Sequence, residues 1–267
     1  MSLLEPPSAV LLGLWGTAAL QGEVPVRRAV AASRGPDDVW APDGVELAGV
    51  LDRLRAARVT SLRVVLPAPG DPRGLPGPTG FSAVACQAGE CVLAVDACPA
   101  GSTATVALVP SVQRFGSDLE PGRLVTWTEH RVEHRPALEV VSLAEADRDL
   151  RAGLLEATRQ LEALDVATWR DDLAGHWADL ASARLDARRL PVGLSPRAGR
   201  TLATGLRIRA LVTFALEDEG GAVSGWEISR RRELLRELDG IARRAVAAAA
   251  SSPGEHPPGV STDLPSR

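Results

Sequence analysis

The sequence predicts an α+β protein: an N-terminal mixed α/β part with a largely antiparallel sheet, then a C-terminal part resembling a four-helix bundle. Three observations carry that expectation. Short β-type runs punctuated by turn residues crowd residues 60–142. Residues 143–250 contain only two prolines, Pro191 and Pro196, and repeat apolar residues at helical spacing. Hydrophobic residues make up 45% of the 267 positions and charged residues 24%, so there is enough apolar material for a substantial core. The expected divisions are residues 1–142, residues 143–250, and a polar, Pro-rich tail over 251–267 that reads as disordered.

The first run, AVLLGLWGTAAL (9–20), is apolar on every side and reads as a buried helix. Glu5, Pro6 and Pro7 precede it and no Arg comes before Arg27, so it lacks the basic flank of a secretory signal. A cytoplasmic protein is the expectation. Residues 25–33 read as a second helix. In VELAGVLDRLRAARV (45–59), Val45, Leu47, Val50, Leu51 and Leu54 form one apolar face of a third. Residues 60–67 follow as a strand, and the helix-to-strand connection there offers a place for a parallel pairing. FSAVACQ (81–87) and CVLAVDA (91–97), flanking Ala88-Gly89-Glu90, read as a β-hairpin. Strands are expected over 103–110, 122–132 and 137–143.

In the second part, apolar positions from Leu143 through Leu150, Leu154, Ala157 and Leu161 to Leu164 make a helical stripe. WRDDLAGHWADLASARL (169–185) gives the next helix. Ser195-Pro196 supplies an N-cap and a first-turn proline for a helix running to about residue 218. Ser224 and Glu227 have capping-box spacing for the last helix, 225–250, whose SRRRELLRELDGIARR (229–244) reads as mixed-charge surface.

All thirty basic residues are Arg, and Lys, Asn and Tyr are absent. Codons for those three begin with A or T pairs, so a GC-rich genome accounts for the Arg-rich composition without a special role for Arg. A net charge of −4 speaks against nucleic acid as a partner. No apolar stretch approaches the roughly 18 residues of a membrane span. The partners left in view are an unknown protein or an anionic small molecule.

Candidate chemistry begins at the segment between the expected strands. Residues 67–80 hold five prolines and four glycines. Prolines have no N–H to offer a phosphate, and the glycines do not fit a dinucleotide fingerprint. The absence of Lys excludes a P-loop. No cofactor motif is present. A stiff loop leaving a strand end is the better reading, with Asp71 and Arg73 at its tip. In the expected hairpin, Cys86 and Cys91 would face each other, although a cytosolic location favours reduced thiols. His130 and His134 lie four apart on a strand-like segment, about 13 Å in extended chain, too far for one metal ion. No metal site is expected. Asp172, His176 and Asp179 share one helix face, which makes His176, with Asp71, an acid–base candidate.

The strongest charge feature is Arg184–Arg209, with seven Arg and a single acid, Asp186. Arg188, Arg189, Arg197 and Arg200, with Arg73, are the expected anion-binding residues. The N-terminal part holds twelve Arg against fifteen acids, so the protein's own acids compete for this cluster. Two functions follow. The leading one is a non-catalytic interaction or regulatory protein that binds an anionic partner through its Arg-rich turn. The alternative is an enzyme or small-molecule binder taking a phosphorylated or carboxylated substrate in a cleft between the two parts.

Overall fold

A computed structural model describes residues 3–35, 38–40, 44–95, 104–117, 120–133, 141–163, 171–217 and 225–252. The N-terminal part contains helices α1 (Ser8–Leu20), α2 (Val26–Ala32), α3 (Leu47–Ala56) and α4 (Thr79–Ala88). Its strands are β1 (Leu3–Leu4), β2 (Asp38–Trp40), β3 (Ser61–Val65), β4 (Cys91–Val95), β5 (Ala104–Gly116) and β6 (Pro121–Glu133). The C-terminal part contributes α5 (Leu143–Ala163), α6 (Asp171–Ser182), a short β7 (Arg184–Leu185), α7 (Pro196–Glu217) and α8 (Gly225–Ser251). The α+β expectation holds, with the helical C-terminal region following a sheet whose four main strands are antiparallel.

The sheet order is β2-β6-β5-β4-β3. Its parallel pairing lies at β2–β6, with Val39 opposite Leu124, and not at β3 as the sequence suggested. Alternation along the strands separates two faces. Leu62, Val64, Val92, Leu108, Val125 and Trp127 turn toward α1, α3 and the helical region. Val65, Cys91, Leu93, Ala107, Val109 and Val132 turn toward Phe81 and Ala85 of α4. His130 also lies on this second face, its ring tilted against Phe81 at 5.6 Å.

Residues 81–87 are helical, which overturns the expected hairpin. Pro78 sets the helix start, Phe81 and Ala85 bury one face at i, i+4 spacing, and Gly89 ends it at φ 73° in the left-handed conformation. The period-2 pattern in FSAVACQ was too short to outweigh these end signals. Cys86 therefore sits on a helix and Cys91 on a strand, both as free thiols. Burial pushes the Cys91 thiol well above its ordinary value. The expected helix over 169–185 stops at Ser182, and Arg184–Leu185 instead pair in parallel with Leu3–Leu4. Residue 143 begins α5, so no strand reaches it; 137–140, His134, Cys98, Ser224 and 253–267 lie outside the described residues.

All thirteen residues of α1 are buried, as its unbroken apolar surface requires. Gly13 and Gly16 let it lie against β3: a Cβ on either would enter the Val64 or Leu62 side chain. The alanine-rich end of α8 serves the same purpose. Ala245, Val246, Ala249 and Ala250 are fully buried, and Gly205 of α7 meets Val246 at a distance only a glycine permits. The core joining α1 to β3 thus also contains Leu202, Leu206 and Val246 from the helical region. Among the described residues no helix is long and apolar enough to cross a membrane.

In an antiparallel sheet, alternate residues of an edge strand turn their N–H groups outward. Here those groups are met by side chains: Leu62 N–H donates to Thr17 Oγ1 at 3.0 Å and Val64 N–H to Ser251 Oγ at 2.9 Å. Just beyond the strand, Leu66 C=O accepts from Arg243 Nη1 at 2.6 Å. Helices α1 and α8 therefore close the β3 edge.

Candidate functional site

The Pro/Gly-rich segment folds as two successive tight turns. Ala68 and Asp71 exchange both backbone hydrogen bonds (2.8 and 3.1 Å) around Pro69-Gly70, with Gly70 at φ 82°. Proline followed by a positive-φ glycine is the type II turn signature. Leu75 N–H then donates to Pro72 C=O at 3.2 Å, with Gly74 at φ 86°. Asp71 closes the first turn and Arg73 sits within the second. Their side chains meet, Arg73 Nε donating to Asp71 Oδ1 at 2.6 Å.

Asp71 also faces α8. Arg243 Nη2 donates to Asp71 Oδ2 at 2.9 Å, and Arg244 Nη1 lies 3.8 Å from the same oxygen. Arg243 has its remaining groups engaged as well, with Nε on Asp239 Oδ2 at 2.8 Å and Nη1 on Leu66 C=O. It is a pin, with its side chain 8% exposed, joining the loop to α8. Arg244 is different. Its side chain is 34% exposed, yet Nη1 is buried with no hydrogen-bond partner among the described residues. Burial, with Arg73 nearby, pulls this guanidinium below its ordinary value, while Asp71 opposes the shift. The hydrogen bond from Arg73 and the contacts with Arg243 hold the Asp71 carboxyl at about 2, despite partial burial.

These groups wall a cavity of about 340 Å³ between the β3 edge, the start of α5 and α8. Arg63 also lines it, so among the described residues the wall holds four Arg and the carboxylate of Asp71. Val65, Val141, Leu143, Ala247 and Ala248 supply apolar wall. Ser142 and Glu145 close the entry of α5 with a reciprocal capping box, Ser142 N–H to Glu145 Oε2 at 3.0 Å and Glu145 N–H to Ser142 Oγ at 3.2 Å. An ionised carboxylate held at about 2 serves as a charge partner and not as a proton acceptor near neutral pH.

Most of the chain's length matches two models of one family: the N-terminal domain of the Rv1486c-like protein over residues 9–140 and its C-terminal domain over 144–247. The chain belongs to the Rv1486c-like protein family. "Uncharacterized protein MT1533" and "Uncharacterized protein Rv1486c", from two strains of Mycobacterium tuberculosis, are each 25% identical over 291 residues, covering 91% of this chain and 96% of the relative. "Uncharacterized protein MAV321" of Mycobacterium avium is 28% identical over 199 residues, 62% of this chain and 64% of its own. No solved structure matches the chain. Asp71 and Arg73 fall within the first family match, and Arg243 and Arg244 within the second.

Of the residues singled out from sequence, the structure brings Asp71 and Arg73 together and leaves the Arg-rich turn elsewhere. That turn is largely occupied. Arg189 Nη2 donates to Arg34 C=O at 3.3 Å, and its own carbonyl accepts from Trp15 Nε1 at 2.9 Å. Arg197 pairs with buried Asp147 at 3.2 Å, Arg207 donates to Ala183 C=O at 2.9 Å, and Arg209 donates to Asp239 at 3.2 Å. Asp186 caps the Arg188 backbone N–H at 2.9 Å, while the side chains of Arg188 and Arg200 are exposed. His176 is on α6, as is Asp172, with both side chains outside the described residues; Asp179 is exposed. Sequence reading passed over Arg243 and Arg244 as helix surface. The available signal was the neighbouring Ala247-Ala248, which marks this face of α8 as packed or enclosed instead of solvated. Among the described residues no three His, Cys, Asp or Glu gather as a metal site.

Proposed function

We propose that this protein binds a small carboxylate- or phosphate-bearing molecule in the cavity between the β3 edge and α8. The observation that carries the reading is Arg244: a guanidinium in the cavity wall with a buried N–H that no acceptor among the described residues hydrogen-bonds. Leaving such a donor unmet costs about 1–3 kcal/mol, and an anionic ligand oxygen would relieve it with a charge-assisted bond. The guanidinium of Arg244 beside the apolar wall favours the same class of ligand, and the volume is at the small end of ligand pockets. The apolar walls favour a molecule with a hydrocarbon part. Docking of an anionic partner on the Arg-rich turn has weaker support, because Arg189, Arg197, Arg207 and Arg209 already serve internal acceptors.

Thermal unfolding against a panel of small carboxylates and phosphate monoesters tests this. A ligand present at a hundred times its dissociation constant stabilises the native state by about 2.7 kcal/mol. The stabilisation should vanish in Arg244→Gln and persist in Arg200→Ala. An equal response in Arg244→Gln, or none from the wild-type protein across the panel, overturns the reading.

A further inference from the structure

Resting on that anion-binding reading, we infer that the ligand is an aliphatic monocarboxylate: a single carboxylate at Arg244 and a hydrocarbon chain along Ala247 and Ala248, with no second polar group. The cavity lies where three apolar clusters meet. Val65 belongs to the cluster beneath α4. Leu143 and Ala247 pack against the core between α1 and β3, and Val141 and Ala248 against the one joining α5, α7 and α8. β3 and α8 run in opposite directions beside the cavity, since Leu66 bonds to Arg243 at one end and Val64 to Ser251 at the other. From Arg244 through Ala248 to Ser252 the wall of α8 is one stripe at four-residue steps, along which the helix rises about 12 Å. Hydrocarbon covers such a junction best, each buried methylene being worth about fourfold in affinity.

The polar groups of the wall mostly serve protein partners already. Ser142 Oγ donates to Glu145 Oε2 at 2.7 Å, Ser251 Oγ to Ala247 C=O at 2.7 Å and Ser252 Oγ to Ala248 C=O at 2.8 Å. Those hydroxyl hydrogens are spent and cannot serve a ligand's hydroxyls or a second acid group. Arg63 and Arg73 both hold interactions within the protein. Arg243 commits Nε, Nη1 and Nη2 to Asp239, Leu66 and Asp71. Arg244 Nη1 is unmet among the described residues, and a guanidinium fork matches the plane of one carboxylate. Asp71 Oδ2, 3.8 Å from that nitrogen, opposes a doubly charged head beside it. A hydroxylated body, or an acid at the far end, would lose its water against the alanines and find no partner.

The test is calorimetric titration of the whole chain with butanoate, hexanoate, octanoate, gluconate, octanedioate and octyl phosphate. Affinity should climb from butanoate to octanoate by about fourfold per methylene. Gluconate, the hydroxylated counterpart of hexanoate, should bind more weakly than hexanoate, and octanedioate and octyl phosphate more weakly than octanoate. Ala248→Leu should bring octanoate down to the level of butanoate. Val141→Thr, which keeps the shape of the wall, should weaken octanoate more than butanoate, and it decides the matter if Ala248→Leu does not fold. Equal affinity across the three simple acids, or gluconate binding as tightly as hexanoate, with Arg244→Gln abolishing binding, sinks the hydrocarbon assignment and keeps the anion site. Octanedioate or octyl phosphate binding more tightly than octanoate overturns the single carboxylate head. Octanoate binding that Arg244→Gln leaves unchanged, or no binding of any of these compounds, sinks both.

Discussion

The turn between α6 and α7 and the cavity beside β3 both concentrate guanidinium groups, and they use them in opposite ways. In the turn, Arg residues are dense in sequence and dispersed in space: Arg189 reaches toward Arg34, Arg197 to Asp147 and Arg209 to Asp239. At the cavity, Arg63, Arg73, Arg243 and Arg244 are distant in sequence and converge around one wall. A charge run thus reports where a protein needs many separate internal acceptors met. A site reports itself only where unlike segments meet. The two clusters also touch: Asp239 accepts from Arg209 and from Arg243, so ion pairs run continuously from α7 through α8 to Asp71 and Arg73.

Substitutions along this network measure the difference. Arg243→Ala strips Asp71, Asp239 and Leu66 C=O of a buried donor at once and should cost about 3–5 kcal/mol in urea-induced unfolding. A loss under about 1 kcal/mol would mean that the pin is dispensable. The acid limb of stability comes next. The Asp71 carboxyl is depressed from 3.8 to about 2 in the folded state, so its contribution is fully present above pH 4 and disappears as pH falls through 2. Asp71→Asn should flatten the stability profile between those values; an unchanged slope would contradict the pairing. In the turn, Arg197→Ala leaves Asp147 with Arg151 and Thr201 and should cost about 1 kcal/mol. Arg200→Ala, at an exposed position, should stay within about 0.5 kcal/mol. If Arg200→Ala costs as much as Arg243→Ala, the contrast between the two clusters fails.

Much of the fold could be read from periodicity. The four C-terminal helices, the buried α1 and the strands at 61–65, 91–95, 104–110 and 122–132 carry clear patterns, although β5 runs on to Gly116, and Ser195 caps α7 as expected through Ala198 N–H at 3.2 Å. Failures came where the signal was short. α4 offered seven residues of weak alternation, and its helical end signals, Pro78 and Gly89, had the deciding weight. β2 is three residues long, and β1 and β7 two each, so their existence depends on neighbours and not on their own sequences. For the site, proline and glycine spacing pointed correctly to Asp71 and Arg73 as a loop tip. Arg243 and Arg244 were illegible because nothing local tells a helix face that a sheet edge lies opposite.

That sheet edge has a consequence for the order of events during synthesis. The strand β3 has been translated long before the groups that close it: Ser251 follows Val64 by 187 residues and Arg243 follows Leu66 by 177. Thr17 can serve Leu62 early, but the rest of the edge waits for the last helix. A nascent N-terminal half is therefore a sheet with one side open, the kind of surface on which chains pair wrongly. Completion of this protein is a C-terminal event, so a ribosome-stalled or proteolysed product lacking α8 would be sticky in a way that the finished protein is not.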